Sequence, residues 1–253
     1  MKKKLPSGVN SDRMKVPEIR ALSKEIITKN KNNKKLIKKI GLDLIEKGGW
    51  EGCALGSSLL VSVKELVSSQ EFEKAIYKMA DDPSWEARES AAMLLKKVLP
   101  SDFLFFLRTM KKMVKNTNPN IRRGAVVGSM QSALTKEQML QISRYVYLPL
   151  LIDDDPYVRK NLGPFALSQF LRLYPKEALS FFDEVMKKNQ PRVIWNVFNA
   201  FQLSRIKRSP DLLRASKTYL KNIKGKDDRI IRSAADALER RIKKVVAGRG
   251  KRY

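Results

Sequence analysis

The sequence contains no histidine, and this absence removes much of the usual side-chain chemistry of enzymes. Without an imidazole there is no Ser-His or Cys-His nucleophile pair, no histidine general base and no metal site of the common nitrogen and sulfur kind. The sequence also has no G-x-G-x-x-G or Walker motif. It therefore predicts a protein without a bound metal and without a cofactor.

Cysteine and long apolar runs are also scarce. Cys53 is the only cysteine, so no intramolecular disulfide can form, which fits a reducing compartment. No apolar run reaches the length of about 18 residues that a membrane span needs, and no apolar signal region follows the opening residues MKKKLPSGVNSDR. We therefore expect a cytoplasmic protein that does not associate with a membrane.

Acidic residues are few compared with basic ones. The chain has 26 Asp and Glu against 52 Lys and Arg, which gives a net charge of +26. This charge exceeds what solubility requires and predicts a polyanionic partner. Because 43% of the residues are hydrophobic, the chain can build a core, and the charge belongs to a folded protein.

One pattern recurs along the chain, in which a turn is followed by the first residues of a helix. Its copies read DDPSWEAR, NTNPNIRR, DDDPYVRK, NQPRVIWN and KDDRIIRS, and they recur at steps of 34, 37, 35 and 38 residues. Such steps are typical of repeats made of two helices. The copies are aligned on Arg88, Arg122, Arg159, Ile194 and Arg232.

The copy DDDPYVRKNLGPFALSQFLRLYPKEAL shows how each repeat is built. Pro156 suits the first turn of a helix, and Leu162, Phe165 and Phe170 then fall on one apolar face. A second helix begins at Pro175. No alternating pattern suggests a sheet. We therefore predict an all-α fold, a right-handed superhelix (solenoid) of HEAT-like antiparallel helix pairs.

The domain boundaries follow from this pattern. We expect a flexible basic arm in residues 1–14, one HEAT-like repeat domain in residues 15–247 and a basic tail in residues 248–253. Several glycines lie between positions 48 and 56. We interpret them as a tight turn and a close contact between helices, in preference to a phosphate-binding loop.

The segments NPNIRRGAVVGSM, DDDPYVRKNLGPFALSQFLRLYPKEAL and QPRVIWNVFNAF lie between Asp81 and Gln202. They resemble the HEAT-like-repeat DNA alkylation repair proteins, the AlkC/AlkD superfamily of bacterial DNA glycosylases, and are closest to the AlkC branch. The resemblance implies a basic concave face that wraps double-stranded DNA, a nucleoid-associated location and excision of N3- or N7-alkylated purines. Since such bases are positively charged, a carboxylate and an aromatic ring can assist their release without histidine.

The resemblance also identifies candidate site residues. Val127 and Ser168 stand where carboxylates are expected, so Glu86, beside Trp85, is the candidate catalytic acid. Its alternative role is that of an acid in a first helical turn, where the helix dipole favours it. The candidate DNA-binding residues are Trp85, Arg88, Arg122, Arg123, Arg159, Lys160, Arg192, Trp195, Arg205, Lys207 and Arg208.

These residues also have structural explanations. In HEAT arrays the repeated arginines often form ion pairs with the acids that precede them, here Asp81-Asp82 and residues 153–155. Trp195 lies on an apolar helical face that favours burial. Three functions therefore remain open: a monomeric alkylpurine DNA glycosylase, a non-catalytic relative that binds damaged or branched DNA, and a protein-binding HEAT scaffold. The scaffold does not account for the charge.

Overall fold

The computed structural model describes residues 14–131, 133–223 and 226–249. In these ranges every regular element is a helix and no strand is present, which confirms the all-α prediction for this part of the chain. The predicted N-terminal arm lies outside the described residues except for Met14. The predicted tail lies outside them from position 250, while the last helix continues through Arg249.

Chain contacts divide the protein into two compact units, and the division lies between Leu94 and Leu95. A single repeat domain over residues 15–247 stays a prediction. The helices are α1 (Val16–Lys29), α2 (Lys34–Lys47), α3 (Gly49–Ser62), α4 (Ser69–Ala80), α5 (Trp85–Val98), α6 (Phe103–Met113), α7 (Pro119–Gly128), α8 (Lys136–Ile142), α9 (Leu148–Leu150), α10 (Pro156–Asn161), α11 (Ser168–Leu173), α12 (Pro175–Met186), α13 (Pro191–Ala200), α14 (Leu203–Arg208), α15 (Pro210–Asn222) and α16 (Arg229–Arg249).

Three short segments complete the secondary structure. A 3₁₀ turn covers Lys64–Leu66, and π-helical segments join α8 to α9 (Ser143–Tyr147) and α10 to α11 (Leu162–Leu167).

In the first unit, α2 and α3 pack closely because glycines remove side chains where the helices meet. A Cβ atom added to Gly56 would lie 2.6 Å from the carbonyl oxygen of Gly41. Gly48 and Gly49 have φ angles of 75° and 74°, in the left-handed region that favours glycine, and they form the turn between the two helices. The predictions of a tight turn and close helix packing are therefore confirmed.

In the second unit, α7 packs on α10, the π-helical segment Leu162–Leu167 that follows α10 packs on α13, and α13 packs on α16. Aromatic residues pack against one another in the same unit. Phe182 of α12 lies 6.0 Å from Phe201, measured between ring centroids, and Phe201 lies 5.7 Å from Tyr219 of α15. Phe182 and Phe201 are fully buried, so these contacts belong to the core of the unit.

The π-helical segment Leu162–Leu167 corrects one prediction about the core. Phe165 was expected on the same buried face as Leu162 and Phe170, yet its side chain is 59% exposed while the other two are fully buried. A π-helical turn contains more residues than an α-helical turn, so it shifts the faces of the residues that follow. Pro164, which has no N–H to donate, lies inside this turn.

The repeated sequence pattern forms the same local turn in three copies. In each copy an Asp or Asn six residues before the aligned arginine accepts a hydrogen bond from the backbone N–H two residues later, at 2.8, 2.8 and 2.9 Å. These bonds fix the turn that leads into the next helix. The pairs are Ser84 to Asp82, Asn118 to Asn116 and Asp155 to Asp153.

In two copies the arginine folds back onto this turn. Arg88 donates from one guanidinium nitrogen to the carbonyl oxygens five and six residues before it, both at 2.8 Å. Arg122 donates to the equivalent carbonyl oxygens at 2.8 and 2.9 Å. The recurrence of arginine along the sequence therefore has a structural basis, because the side chain satisfies backbone groups that the turn leaves open.

Candidate nucleic-acid interface

Arg122 lies at the start of α7 and is committed to an ion pair within the second unit. Its Nε and Nη2 atoms donate to the two carboxylate oxygens of Asp153 at 2.6 and 3.1 Å. The two side chains are 18% and 6% exposed, and the hydrogen bond that Arg122 donates to Asp153 raises the pKa of Arg122 above its ordinary value. This geometry supports a structural role for Arg122, which links α7 to the turn before α10.

Arg123 is the buried neighbour of Arg122, with 8% of its surface exposed. Its guanidinium carbon lies 5.1 Å from the centre of the Tyr157 ring. On α10, the Nζ atom of exposed Lys160 lies 4.6 Å from the centre of the same ring. Tyr157 therefore contacts one buried and one exposed cation.

Arg159 and Trp195 connect α10 to α13. The Arg159 guanidinium carbon lies 5.8 Å from the centre of the Trp195 ring, and both side chains are half-buried. At the start of α13, the Nε atom of Arg192 forms an ion pair of 2.5 Å with exposed Asp154. We use the name α10–α13 surface for this group, which consists of Tyr157, Arg159, Lys160, Arg192 and Trp195.

A second basic group lies where α11 meets α14. The Nε atom of half-buried Arg205 is 3.4 Å from the hydroxyl oxygen of Ser168, which is itself only 2% exposed. Burial, with the nearby charges of Arg172 and Arg208, lowers the pKa of Arg205. We use the name arginine cluster for Arg172, Arg205 and Arg208. Lys207 is exposed on the same short helix, α14.

The remaining candidates, Trp85, Glu86 and Arg88, lie in the first unit at the start of α5. Trp85 is 61% exposed. Glu86 accepts a hydrogen bond of 2.8 Å from the Ser84 hydroxyl, and Arg88 is held by the backbone carbonyls described above. Glu86 is therefore a half-buried acid in a first helical turn, next to an exposed indole.

The positions where the resemblance would place further carboxylates lie inside the protein. Val127 and Ser168 are each 2% exposed, so both side chains pack in the interior.

Two acids at the repeat turns, Asp82 and Asp155, accept hydrogen bonds from the backbone. Asp82 accepts from the N–H groups of Gly49 and Ser84, at 2.9 and 2.8 Å. Asp155 accepts at 2.7 Å from the backbone two residues further on, at the start of α10. These carboxylates stabilise turns and helix starts.

The structure thus brings together the candidates of α7, α10 and α13 and, separately, Arg205 and Arg208. Sequence reasoning missed two residues. Tyr157 was passed over although it follows the repeat proline directly. Arg172 could have been found from its position one helical turn after Ser168 on α11.

Within the described ranges, no group of three or more His, Cys, Asp or Glu side chains could hold a metal ion. No helix in those parts of the chain has the length and apolar character to cross a membrane.

Comparisons with known proteins give no further identification. No protein-family model, no curated protein and no solved structure matches this chain.

Proposed function

We propose that this protein binds duplex DNA through its second unit, as a HEAT-like repeat protein of the DNA alkylation repair type. The observation that carries the proposal is the α10–α13 surface, where Lys160 and Arg159 lie against the rings of Tyr157 and Trp195. The net charge of +26 supports the same partner, because DNA presents a dense row of negatively charged phosphates that Lys and Arg side chains neutralise.

The cations and the aromatic rings of this surface have different tasks on DNA. Lys160 and Arg159 supply cations for backbone phosphates, while the faces of Tyr157 and Trp195 hold the long basic side chains in place. Contacts of this kind read phosphate and sugar, which are the same in every sequence. We therefore propose binding with little dependence on sequence. The contacts of α7 with α10, of the segment Leu162–Leu167 with α13 and of α13 with α16 are compatible with a right-handed solenoid of helix pairs.

The engagement of the carboxylates favours binding without base excision. Of the acids considered at the repeat turns, Asp82, Asp153 and Asp155 all accept hydrogen bonds that hold the fold. Ser168, at a position where the resemblance predicts an acid, contacts a cation, Arg205. A cationic alkylated base would be repelled by a guanidinium at such a position.

A second candidate function, excision of alkylated purines, rests on a single feature of the first unit. Glu86 is half-buried and follows the 61% exposed Trp85, so a carboxylate and an aromatic residue are neighbours in the sequence at the start of α5. Purified protein should be incubated with alkylated duplex DNA, and released 3-methyladenine and 7-methylguanine should be measured. Release of either base would favour this candidate, and binding without release supports the non-catalytic function.

The binding proposal is tested by two double variants with equal changes in charge. Arg159→Ala with Lys160→Ala removes two cations from the α10–α13 surface, whereas Lys187→Ala with Lys188→Ala removes two exposed cations that follow α12. Fluorescence anisotropy with a labelled duplex should show an affinity loss of about tenfold or more for the first variant. The second should change affinity by less than about threefold. Equal losses in the two variants would overturn the assignment of this surface.

A further inference from the structure

The arginine cluster has the features of a discrete anion site. Arg172 lies on α11 one turn after Ser168, while Arg205 and Arg208 lie one turn apart on α14. Arg205 donates from Nε to the Ser168 hydroxyl at 3.4 Å, which places its side chain against α11, and the positive charges of Arg172 and Arg208 both act on it. Ser168 is buried and cannot ionise, so it offers a hydroxyl donor or acceptor and no negative charge.

In the described part of the chain, no acidic side chain neutralises the positive charges of the arginine cluster. Among residues 14–131, 133–223 and 226–249, no carboxylate forms an ion pair with Arg172, Arg205 or Arg208. By contrast, Arg122, Arg192 and the neighbouring Arg214 all have acidic partners. Three guanidinium groups near one another without an acid repel each other, and a bound anion would relieve that repulsion. The lowered pKa of Arg205, caused by burial and then by Arg172 and Arg208, agrees with this description.

We propose that the arginine cluster binds a phosphate group and prefers the terminal phosphomonoester of a DNA strand to an internal phosphodiester. The site would therefore direct this protein to strand ends, nicks or gaps that carry a phosphate. The identity of the carrier as DNA rests on the proposed function above. The affinity for phosphate itself does not.

The preference for a monoester follows from charge and geometry. A phosphomonoester carries about −1.5 to −2 charges at pH 7 and presents three terminal oxygens, whereas a phosphodiester carries one charge and presents two. Arginine donates two parallel hydrogen bonds to phosphate, so three arginines can use all three oxygens of a monoester. Partial burial of Arg205 strengthens its interaction with an anion, because fewer water molecules compete.

The first experiment needs no DNA. Thermal unfolding of the full chain is followed while inorganic phosphate replaces chloride at constant ionic strength. We expect the melting temperature to rise in a saturable way with phosphate. The rise should disappear in the exposed-residue variants Arg172→Gln and Arg208→Gln and persist in the matched control Arg214→Gln, whose arginine is already paired with Asp211. The absence of any phosphate-specific rise would overturn the site, and so would a rise that all variants keep.

The second experiment identifies the source of the phosphate. Anisotropy is measured with duplexes of one sequence that end in a 5′-phosphate, a 3′-phosphate or hydroxyl groups only. We expect one phosphorylated end to bind about tenfold more tightly than the hydroxyl end, and Arg208→Gln to abolish the difference. Equal affinity for the three duplexes, with an equal loss in Arg208→Gln, would overturn the monoester preference in favour of internal phosphates. A phosphate effect on melting together with no duplex binding would instead contradict the proposed function and leave the anion site standing.

Discussion

Replacement of Arg122 by methionine should destabilise the second unit, because this side chain makes four hydrogen bonds that methionine cannot make. Two go to the carboxylate of Asp153, and two go to carbonyl oxygens of the turn before α7. Methionine keeps most of the apolar length of arginine. The variant therefore tests the polar contacts more than the packing.

The expected cost follows from the burial of the pair. Removal of one partner of a fully buried ion pair costs about 3 to 5 kcal/mol, and a hydrogen bond to a charged group contributes about 1.5 to 3 kcal/mol. Asp153 is 6% exposed but Arg122 is 18% exposed, so water can partly replace the lost donor. We therefore expect a loss of about 2 to 4 kcal/mol in unfolding free energy, which lowers the melting temperature by about 5 to 15 °C in a unit of this size.

The assay is urea and thermal unfolding followed by circular dichroism at 222 nm. The matched control is Arg214→Met, which removes the same group from an ion pair with Asp211 whose two side chains are 75% and 74% exposed. Such a surface pair contributes at most about 1 kcal/mol, so the control should melt close to wild type. A melting temperature of Arg122→Met equal to that of the control, together with a large loss of DNA binding, would refute the structural role of Arg122.

Three further predictions concern separate features. Cys53 is fully buried, and burial, with the nearby charge of Asp82, raises its pKa to about 12. The native thiol should therefore not react with Ellman's reagent at pH 8, and it should react after denaturation. Because the folded state favours the neutral thiol, the free energy of unfolding should fall as the pH rises from about 9 to 12. Gly128→Ala would place a Cβ atom 2.4 Å from a methyl carbon of Leu95, so it should cost about 1 to 3 kcal/mol, and an unchanged urea midpoint would contradict this packing. If the protein excises alkylated bases, Glu86→Gln should keep DNA affinity and slow excision about a hundredfold to a thousandfold, whereas undiminished excision would place the catalytic group elsewhere.

The helical architecture was predictable because its signals are local. Proline at the start of a helix and apolar residues at helical spacing predicted the beginnings of α10 and α12 at Pro156 and Pro175, and both are found there. The glycines near position 50 likewise predicted a turn and a close helix contact. Such features depend on residues that are near one another in the sequence.

The candidate site was less predictable because its contacts join distant residues. Nothing in the sequence specifies that Arg122 pairs with Asp153, 31 residues away, or that Arg205 reaches Ser168, 37 residues away. The sequence left two roles open for the repeated arginines, and packing assigns Arg122 to an ion pair. The π-helical turn shifted the helical register, which is why the exposure of Phe165 was missed.

The most direct test of DNA binding through phosphate contacts is the dependence of duplex affinity on salt. Dissociation constants should be measured by anisotropy with one duplex, at salt concentrations between 50 and 200 mM. If about six phosphates are contacted, affinity should fall about a thousandfold across this range. Duplexes of different sequence should give similar values. An affinity that does not change with salt, or no binding at 50 mM, would contradict the account.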